Sequence, residues 1–189
     1  MKGLLYDFMD EPDVPAFQLA AVRRYEASLN SEERPKLAFD RDYLAYLKVA
    51  HGRALRNCRF KLGRQTLPID RIFSYARPED LKGDPQPSWR PGAGDLRMDY
   101  SVPYIGGMPN WTEDGVVVPF AGVGVNEMAE YDMLCFHFQF KPRPLVVLWE
   151  HEANAHEFKQ VEFVARDFSE FMKLVVAGVA KSGRSRRRT

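Results

Sequence analysis

The sequence predicts an α+β domain with one mixed, mostly antiparallel sheet, flanked by N-terminal helices and a C-terminal helix. Three observations predict it. Apolar residues recur at helical spacing in the first fifty positions, and they alternate with polar residues from Asn57 onward. An Asp-x-x-Glu capping box at Asp167 then begins a last helix. The chain has 189 residues, 45% of them hydrophobic, which suits one such domain with a sizeable core.

Start and stop signals predict the two N-terminal helices. Asp13 followed by Pro15 marks the beginning of the first helix. Asp40 is a good N-cap for the second, and Gly52 stands where a C-cap is expected. After Gly52 the apolar period changes from that of a helix to that of a strand.

Alternation and apolar runs predict the strands. An early pair covers 57–62 and 67–73, with a Gly63-Arg64 turn between them. Pro119 suggests that the next strand either ends there or lies at a sheet edge. The later strands are Val116–Phe120, Met133–Phe140, Pro144–Trp149 and Lys159–Val164. The C-terminal helix is predicted to continue its apolar face from Phe168 to Val179.

A long stretch rich in proline and glycine interrupts these elements. Residues 78–115 contain six prolines and six glycines, which excludes long regular elements. Its aromatic residues, Trp89, Tyr104 and Trp111 among them, indicate that it packs on something. We therefore expect an irregular lead-in over 1–13, a single domain over 14–180 with 78–115 as an insertion loop, and a basic tail over 181–189.

Charge and cysteine usage restrict the class of protein. Lys+Arg total 27 and Asp+Glu 26, and five of the basic residues lie in the last nine positions, so the rest of the chain carries −4. An acidic body favours a basic partner through electrostatic steering. Cys58 and Cys135 lie in apolar stretches, which predicts buried, reduced thiols. An acidic N-terminal segment and no apolar run near the ~20 residues of a membrane span predict a cytoplasmic protein without membrane contact.

The histidines do not form a recognisable catalytic or metal motif. His151 and His156 resemble a zinc-protease pair, but their spacing of i and i+5 puts them on different helical faces, so we expect a polar hairpin there. We expect His137, within a strand, to be solvent-facing or hydrogen-bonded, and His51 to cap a helix. No glycine pattern forms a phosphate loop. The sequence therefore predicts no catalytic, cofactor or metal site.

Two charged groups remain as candidate contact sites. Glu127, Glu130 and Asp132 precede a strand, where paired carboxylates are either solvated or form an acidic rim for a basic protein surface. The arginine-rich tail could contact nucleic acid or an acidic membrane. Its few charges and lack of aromatic residues make a solubilising end the better interpretation, with at most weak nucleic-acid binding.

Taken in order, four stretches resemble the SUKH superfamily, which includes fungal Smi/Knr-type regulators and bacterial immunity proteins. The first is the Asp-Tyr helix that follows Asp40. The second is the short strand pair ending near Phe73. The third is Val-Val-Pro-Phe-Ala at 117–121, followed by Tyr-Asp-Met-Leu-Cys-Phe at 131–136. The last is Val-Val-Leu-Trp-Glu-His at 146–151, followed by Ala-Arg-Asp-Phe-Ser-Glu-Phe at 165–171.

The resemblance covers roughly residues 37–177 and departs from the family in its turns. The family's Asn-Gly-Gly after the helix is replaced by His51-Gly52-Arg53, and its glycine before the core strand by Glu130-Tyr131-Asp132. Stretch 78–115 is enlarged. The resemblance implies a mixed sheet flanked by helices, without a catalytic centre, that binds a partner protein.

Our first hypothesis is therefore an immunity protein that binds a toxin domain encoded next to it. Its anchors would be Trp89, Tyr104 and Trp111, unless these rings only attach the loop to the sheet, and its charged rim would be Glu127, Glu130 and Asp132. A regulatory scaffold of the Smi/Knr type is the alternative. A metal-dependent hydrolase using His137, His151 and His156 is a third hypothesis.

Overall fold

The computed structural model describes Phe8 and residues 17–30, 37–53, 55–73, 111–112, 115–124, 132–139, 141, 143–149 and 161–177. Within these residues the chain forms three helices and two antiparallel sheets, which confirms the α+β class. The helices are α1 (Leu19–Leu29), α2 (Arg41–Ala50) and α3 (Phe168–Leu174). The strands are β1 (Cys58–Leu62), β2 (Gln65–Pro68), β3 (Arg71–Ile72), β4 (Trp111–Thr112), β5 (Gly115–Val123), β6 (Asp132–Phe138), β7 (Leu145–Trp149), β8 (Val161–Ala165) and β9 (Val175–Ala177).

The larger sheet is built around β5. Its strands follow the order β3-β5-β6-β7-β8, and β4 also pairs with β5. Pro119 lies inside β5, so the prediction that it marks an edge or a strand end is wrong. The pairing with β6 shifts register between Pro119 and Ala121. Such a bulge accommodates a residue without an amide hydrogen in an interior strand.

The smaller sheet has the order β2-β1-β9, so the expected single sheet is in fact two. The chain passes from one sheet to the other between Ile69 and Asp70. The Ile69 amide still donates to the carbonyl of Cys58 in β1, whereas the Asp70 amide donates to the carbonyl of Gly122 in β5. The predicted strand over 67–73 is therefore divided between two sheets.

The N-caps predicted for α2 and α3 are present, but α1 begins at Leu19 after Gln18, so the predicted beginning at Asp13 and Pro15 is wrong. The Asp40 carboxylate accepts a hydrogen bond from the Tyr43 amide at 2.7 Å, and Asp167 accepts one from the Glu170 amide at 2.7 Å. Gly52 follows α2 with φ of 69°, a left-handed conformation that suits glycine. The last helix, however, ends at Leu174 and not near Val179. The next residues are β-branched and pair with β1, because strand pairing there buries Val175.

Aromatic rings from separate parts of the chain form the centre of the core. Tyr43 of α2, Phe120 of β5, Phe136 of β6 and Phe168 of α3 contact one another, with ring centroids 4.5 to 6.2 Å apart. We call these four residues the ring cluster. All four are at most 1% exposed. Edge-to-face and stacked contacts of this kind add stability beyond the burial of apolar area.

Candidate protein-binding surface

The structure describes two of the six predicted contact residues. Trp111 lies in β4 opposite Val116, and Asp132 begins β6 opposite Val123. These two partners are seven positions apart on β5, or roughly 23 Å along a strand. Trp111 and Asp132 thus lie at opposite ends of β5. The structure does not bring them together.

The other four predicted contact residues, Trp89, Tyr104, Glu127 and Glu130, lie outside the described residues. The attachment points of the loop that contains Trp89 and Tyr104 are nevertheless described. The Phe73 amide donates to the carbonyl of Phe120, and Trp111 pairs with Val116. Because β6 occupies the opposite edge of β5, Phe73 and Trp111 lie along the same edge of that strand. The two attachment points are roughly 13 Å apart along the strand.

Strand β8 carries an exposed aromatic residue that the sequence analysis did not single out. Phe163 is 55% exposed, although it lies opposite the buried Val147 of β7. Glu162 beside it is exposed as well. Among the described strands none pairs with the outer edge of β8. The sequence signal for this part of the chain was the alternation of apolar and polar residues over 159–164. That alternation identifies a strand, but it does not show that the strand lies at the edge of a sheet.

Phe163 continues an apolar row that crosses the larger sheet. Cross-strand partners link Pro119 to Cys135, Cys135 to Val147, and Val147 to Phe163. The first three are buried. Phe163 is the exposed end of this otherwise buried row, and aromatic side chains are enriched at the centres of protein interfaces.

The described histidines are both buried. His137 is 4% exposed, so the solvent-facing orientation considered for it is wrong; β6 is buried on both faces from Met133 to Phe138. His51 is the C-cap of α2, as predicted, and packs edge-on against Phe17 at 5.8 Å between ring centroids. His151 and His156 lie outside the described residues. No group of three or more His, Cys, Asp or Glu among the described residues could hold a metal ion.

The cysteines are buried and unpaired, as the sequence predicted. Burial, together with the nearby Asp70 carboxylate, raises the pKa of the Cys58 thiol to about 12. Burial alone raises the pKa of Cys135. Because the thiolate is the reactive form of cysteine, both thiols stay protonated and inert near neutral pH.

The N-termini of α2 and α3 lie side by side and share polar contacts. The Ser169 hydroxyl donates a hydrogen bond to the Asp42 carboxylate, which joins the two helices. The Glu170 carboxylate accepts from the Arg166 amide, just before the helix that Asp167 caps. Burial raises the pKa of Asp40, and the neighbouring carboxylates Asp42 and Asp167 add to the effect. These contacts cap and join the two helices.

A second exposed feature is basic. On β1, Arg59 and Lys61 are exposed while Cys58 and Phe60 are buried, so the two cations share the outward face of the smaller sheet. Arg56, before the strand, and Arg64, in the hairpin turn, are exposed as well. The signal that could have revealed this surface is the absence of any acidic residue from 53 to 69, where five residues are basic.

Comparison of the chain with protein-family models, with curated proteins and with solved structures found no match. No helix in the described part of the chain is long and apolar enough to cross a membrane.

Proposed function

We propose that this protein is a non-catalytic, cytoplasmic binding domain of the SUKH type that neutralises a cognate bacterial toxin by binding it. The observation that carries the proposal is Phe163, an aromatic side chain 55% exposed on the edge strand β8. An exposed ring on a rigid sheet edge suits the recognition of a protein surface.

The ring cluster supports the likeness to the SUKH superfamily. Tyr43 comes from the Asp-Tyr helix, Phe120 and Phe136 from the central strands, and Phe168 from the capped last helix. Three of the four stretches on which the resemblance rests therefore supply the centre of one core. The similarity thus involves residues that pack together in space as well as residues in the same order.

Binding at β8 would combine two kinds of contact. The outer edge of a strand offers backbone N–H and C=O groups to an added strand. Phe163 would then enter an apolar pocket of the partner and supply much of the affinity. A toxin held in this way would have its substrate cleft covered by the domain, and inhibition would require no chemistry from the inhibitor.

Co-expression tests the proposal. The protein is produced together with the product of the adjacent upstream gene, and growth rescue and co-purification are scored. We expect rescue and a stable complex. Phe163→Asp should abolish both, because a charge cannot enter an apolar pocket without a large desolvation cost.

Leu19→Glu is the matched control, since Leu19 is 48% exposed on α1 and its replacement also adds one negative charge. It should leave rescue intact. A harmless neighbour that does not bind would contradict the immunity function. Binding to a non-toxic partner would favour a regulatory scaffold instead.

A further inference from the structure

Two polar side chains of α1 bind the backbone that leads into α2. The side chain of Asn30, the C-cap of α1, accepts a hydrogen bond from the Leu37 amide at 2.6 Å and donates one to the Leu37 carbonyl at 3.1 Å. The Glu26 carboxylate accepts from the Phe39 amide at 2.7 Å. We call these three hydrogen bonds the clamp. A further bond to the carbonyl of Glu26 fixes the orientation of the Asn30 side chain.

The clamp occupies backbone groups of the kind that pair neighbouring strands. Leu37 and Phe39 are two positions apart, the spacing at which the amides of an extended chain point to the same side. Asn30 takes both the N–H and the C=O of Leu37, as the opposite residue of a hydrogen-bonded antiparallel pair would. Helix α1 therefore covers a short backbone edge with side chains where a strand could also bind.

Helix α1 buries few apolar side chains of its own. Among its side chains that the structure describes, those of 19–27, the buried apolar ones are Ala21 and Val22. Four residues of the neighbouring helix α2 are buried: Tyr43, Tyr46, Leu47 and Ala50. Elements with few buried apolar contacts are those that open locally while the rest of a protein stays folded.

The chemistry of the clamp also permits opening. Glu26 is buried and pairs with the half-exposed guanidinium of Arg23, and a charged acceptor makes the bond to Phe39 a strong one. When α1 detaches, water reaches both the carboxylate and the freed amides. No charge is then left buried and unpaired, so opening costs only the net strength of the exchanged hydrogen bonds.

The segment that the clamp binds is held to the core by a separate set of contacts. The ring of Phe39 lies 5.2 Å from that of Tyr43, 5.5 Å from that of Phe136 and 6.0 Å from that of Phe138, between centroids. None of these three partners belongs to α1. Phe39 can therefore stay in place when α1 detaches.

We propose that α1 is a strap, which detaches as a unit from an otherwise folded protein and thereby exposes the backbone edge at Leu37 and Phe39. The clamp sets how often the strap opens. This conformational device is separate from the proposed binding of a toxin at β8. Each can fail without the other.

Native-state hydrogen exchange, followed by NMR for individual amides, tests the proposal on the unmodified protein. A free helix of 11 residues is marginal in water, so the amides of α1 should exchange once it detaches. We expect these amides and those of Leu37 and Phe39 to exchange together, at least about tenfold faster than the amides of α2 and β6. Their exchange should depend only weakly on urea, because local opening exposes little surface.

Variants of the clamp should change the exchange of this set of amides alone. Asn30→Ala and Glu26→Ala should each accelerate it roughly tenfold and leave the amides of α2 unchanged. Glu26→Gln keeps an oxygen for the Phe39 amide, so it should have a smaller effect. It also serves as the second variant if Glu26→Ala does not fold.

Glu170→Ala is the matched control. Its carboxylate accepts from the Arg166 amide at 2.7 Å, the same kind of bond at the same length, but on α3. The control should leave the exchange of α1 unchanged.

Either of two results would overturn the proposal. One is equal protection of α1, α2 and β6 in the unmodified protein, with the same steep dependence on urea, since α1 would then open only when the whole protein unfolds. The other is a clamp variant that accelerates exchange in α2 as much as in α1.

Discussion

At the scale of single residues, two opposing influences act on the pKa of Asp40. Its carboxylate caps α2 by accepting from the Tyr43 amide, which favours the charged form. Burial and the nearby carboxylates of Asp42 and Asp167 disfavour that form, and the net effect is a raised pKa. The folded protein therefore keeps the Asp40 proton to a higher pH than the unfolded chain does.

This difference predicts a pH dependence of stability. A raised folded-state pKa contributes stability below the unfolded value, 3.8, and that contribution is lost as pH rises through the folded-state pKa. Asp40→Asn keeps a capping oxygen but cannot titrate. We expect the variant to gain stability relative to the unmodified protein as pH rises from about 4 toward 7. Thermal unfolding across that range measures the difference.

Asp40→Ser is the control, because it also caps the helix without a charge. It should show the same trend with pH. A difference in melting temperature that stays constant with pH would contradict the prediction.

At the scale of elements, β5 and β6 approach unusually closely where β5 begins. A Cβ at position 115 would overlap the backbone oxygen of Phe138 and lie only 2.9 Å from the carbonyl carbon of that residue. Only glycine allows this approach, because a backbone carbonyl inside a paired strand cannot move aside as a flexible side chain can. Gly63 is a different case. It has a φ of +55° in the hairpin turn, and a Cβ there would have no atom within 4 Å.

We expect Gly115→Ala to destabilise the protein by about 3 kcal/mol, the upper end of overpacking costs. Gly63→Ala should cost only about 1 kcal/mol, the strain of a left-handed backbone. Urea unfolding of both variants tests the contrast. Equal losses would mean that the β5–β6 pair can shift to accommodate a methyl group.

Most of the helices and strands were predictable from the sequence. Asp40 and Asp167 marked the beginnings of α2 and α3, because capping chemistry is local. Pro119 misled the prediction, because a bulge is visible only once the partner strand is in place. The end of α3 was missed for a similar reason. Val175 and Val176 are compatible with a helix face, and only the open edge of β1 makes them a strand.

At the scale of the whole molecule, the C-terminal strand connects the last helix to the smaller sheet. Val175 is 5% exposed and pairs with Phe60, which is fully buried and contacts Phe171 of α3 at 5.9 Å between ring centroids. Strand β9 thus holds β1 and α3 together.

Truncation tests this role. Deleting 175–189 should lower the free energy of unfolding by at least about 2 kcal/mol, because it removes the buried Val175 and leaves β1 without one of its neighbours. Deleting only 181–189 should have a much smaller effect. Urea unfolding compares the two. If both truncations cost the same, β9 does not stabilise the fold as inferred.

The candidate surfaces were predictable to different extents. The acidic residues before β6 and the aromatic residues of 78–115 were chosen for their chemical type. The structure shows that Trp111 and Asp132 lie at opposite ends of β5. Phe163 was recognised as a strand residue, but exposure at a sheet edge depends on strand order, which local alternation does not encode.

The sequence by itself determined the α+β class, the N-caps of α2 and α3 and the buried thiols, since these follow from short-range periodicity, hydrogen bonding and composition. Tertiary structure alone decided the division into two sheets, the exposure of Phe163 and the pairing of β1 with β9. Each of these depends on which strands pair, and pairing joins residues far apart in the chain through backbone groups that every residue shares.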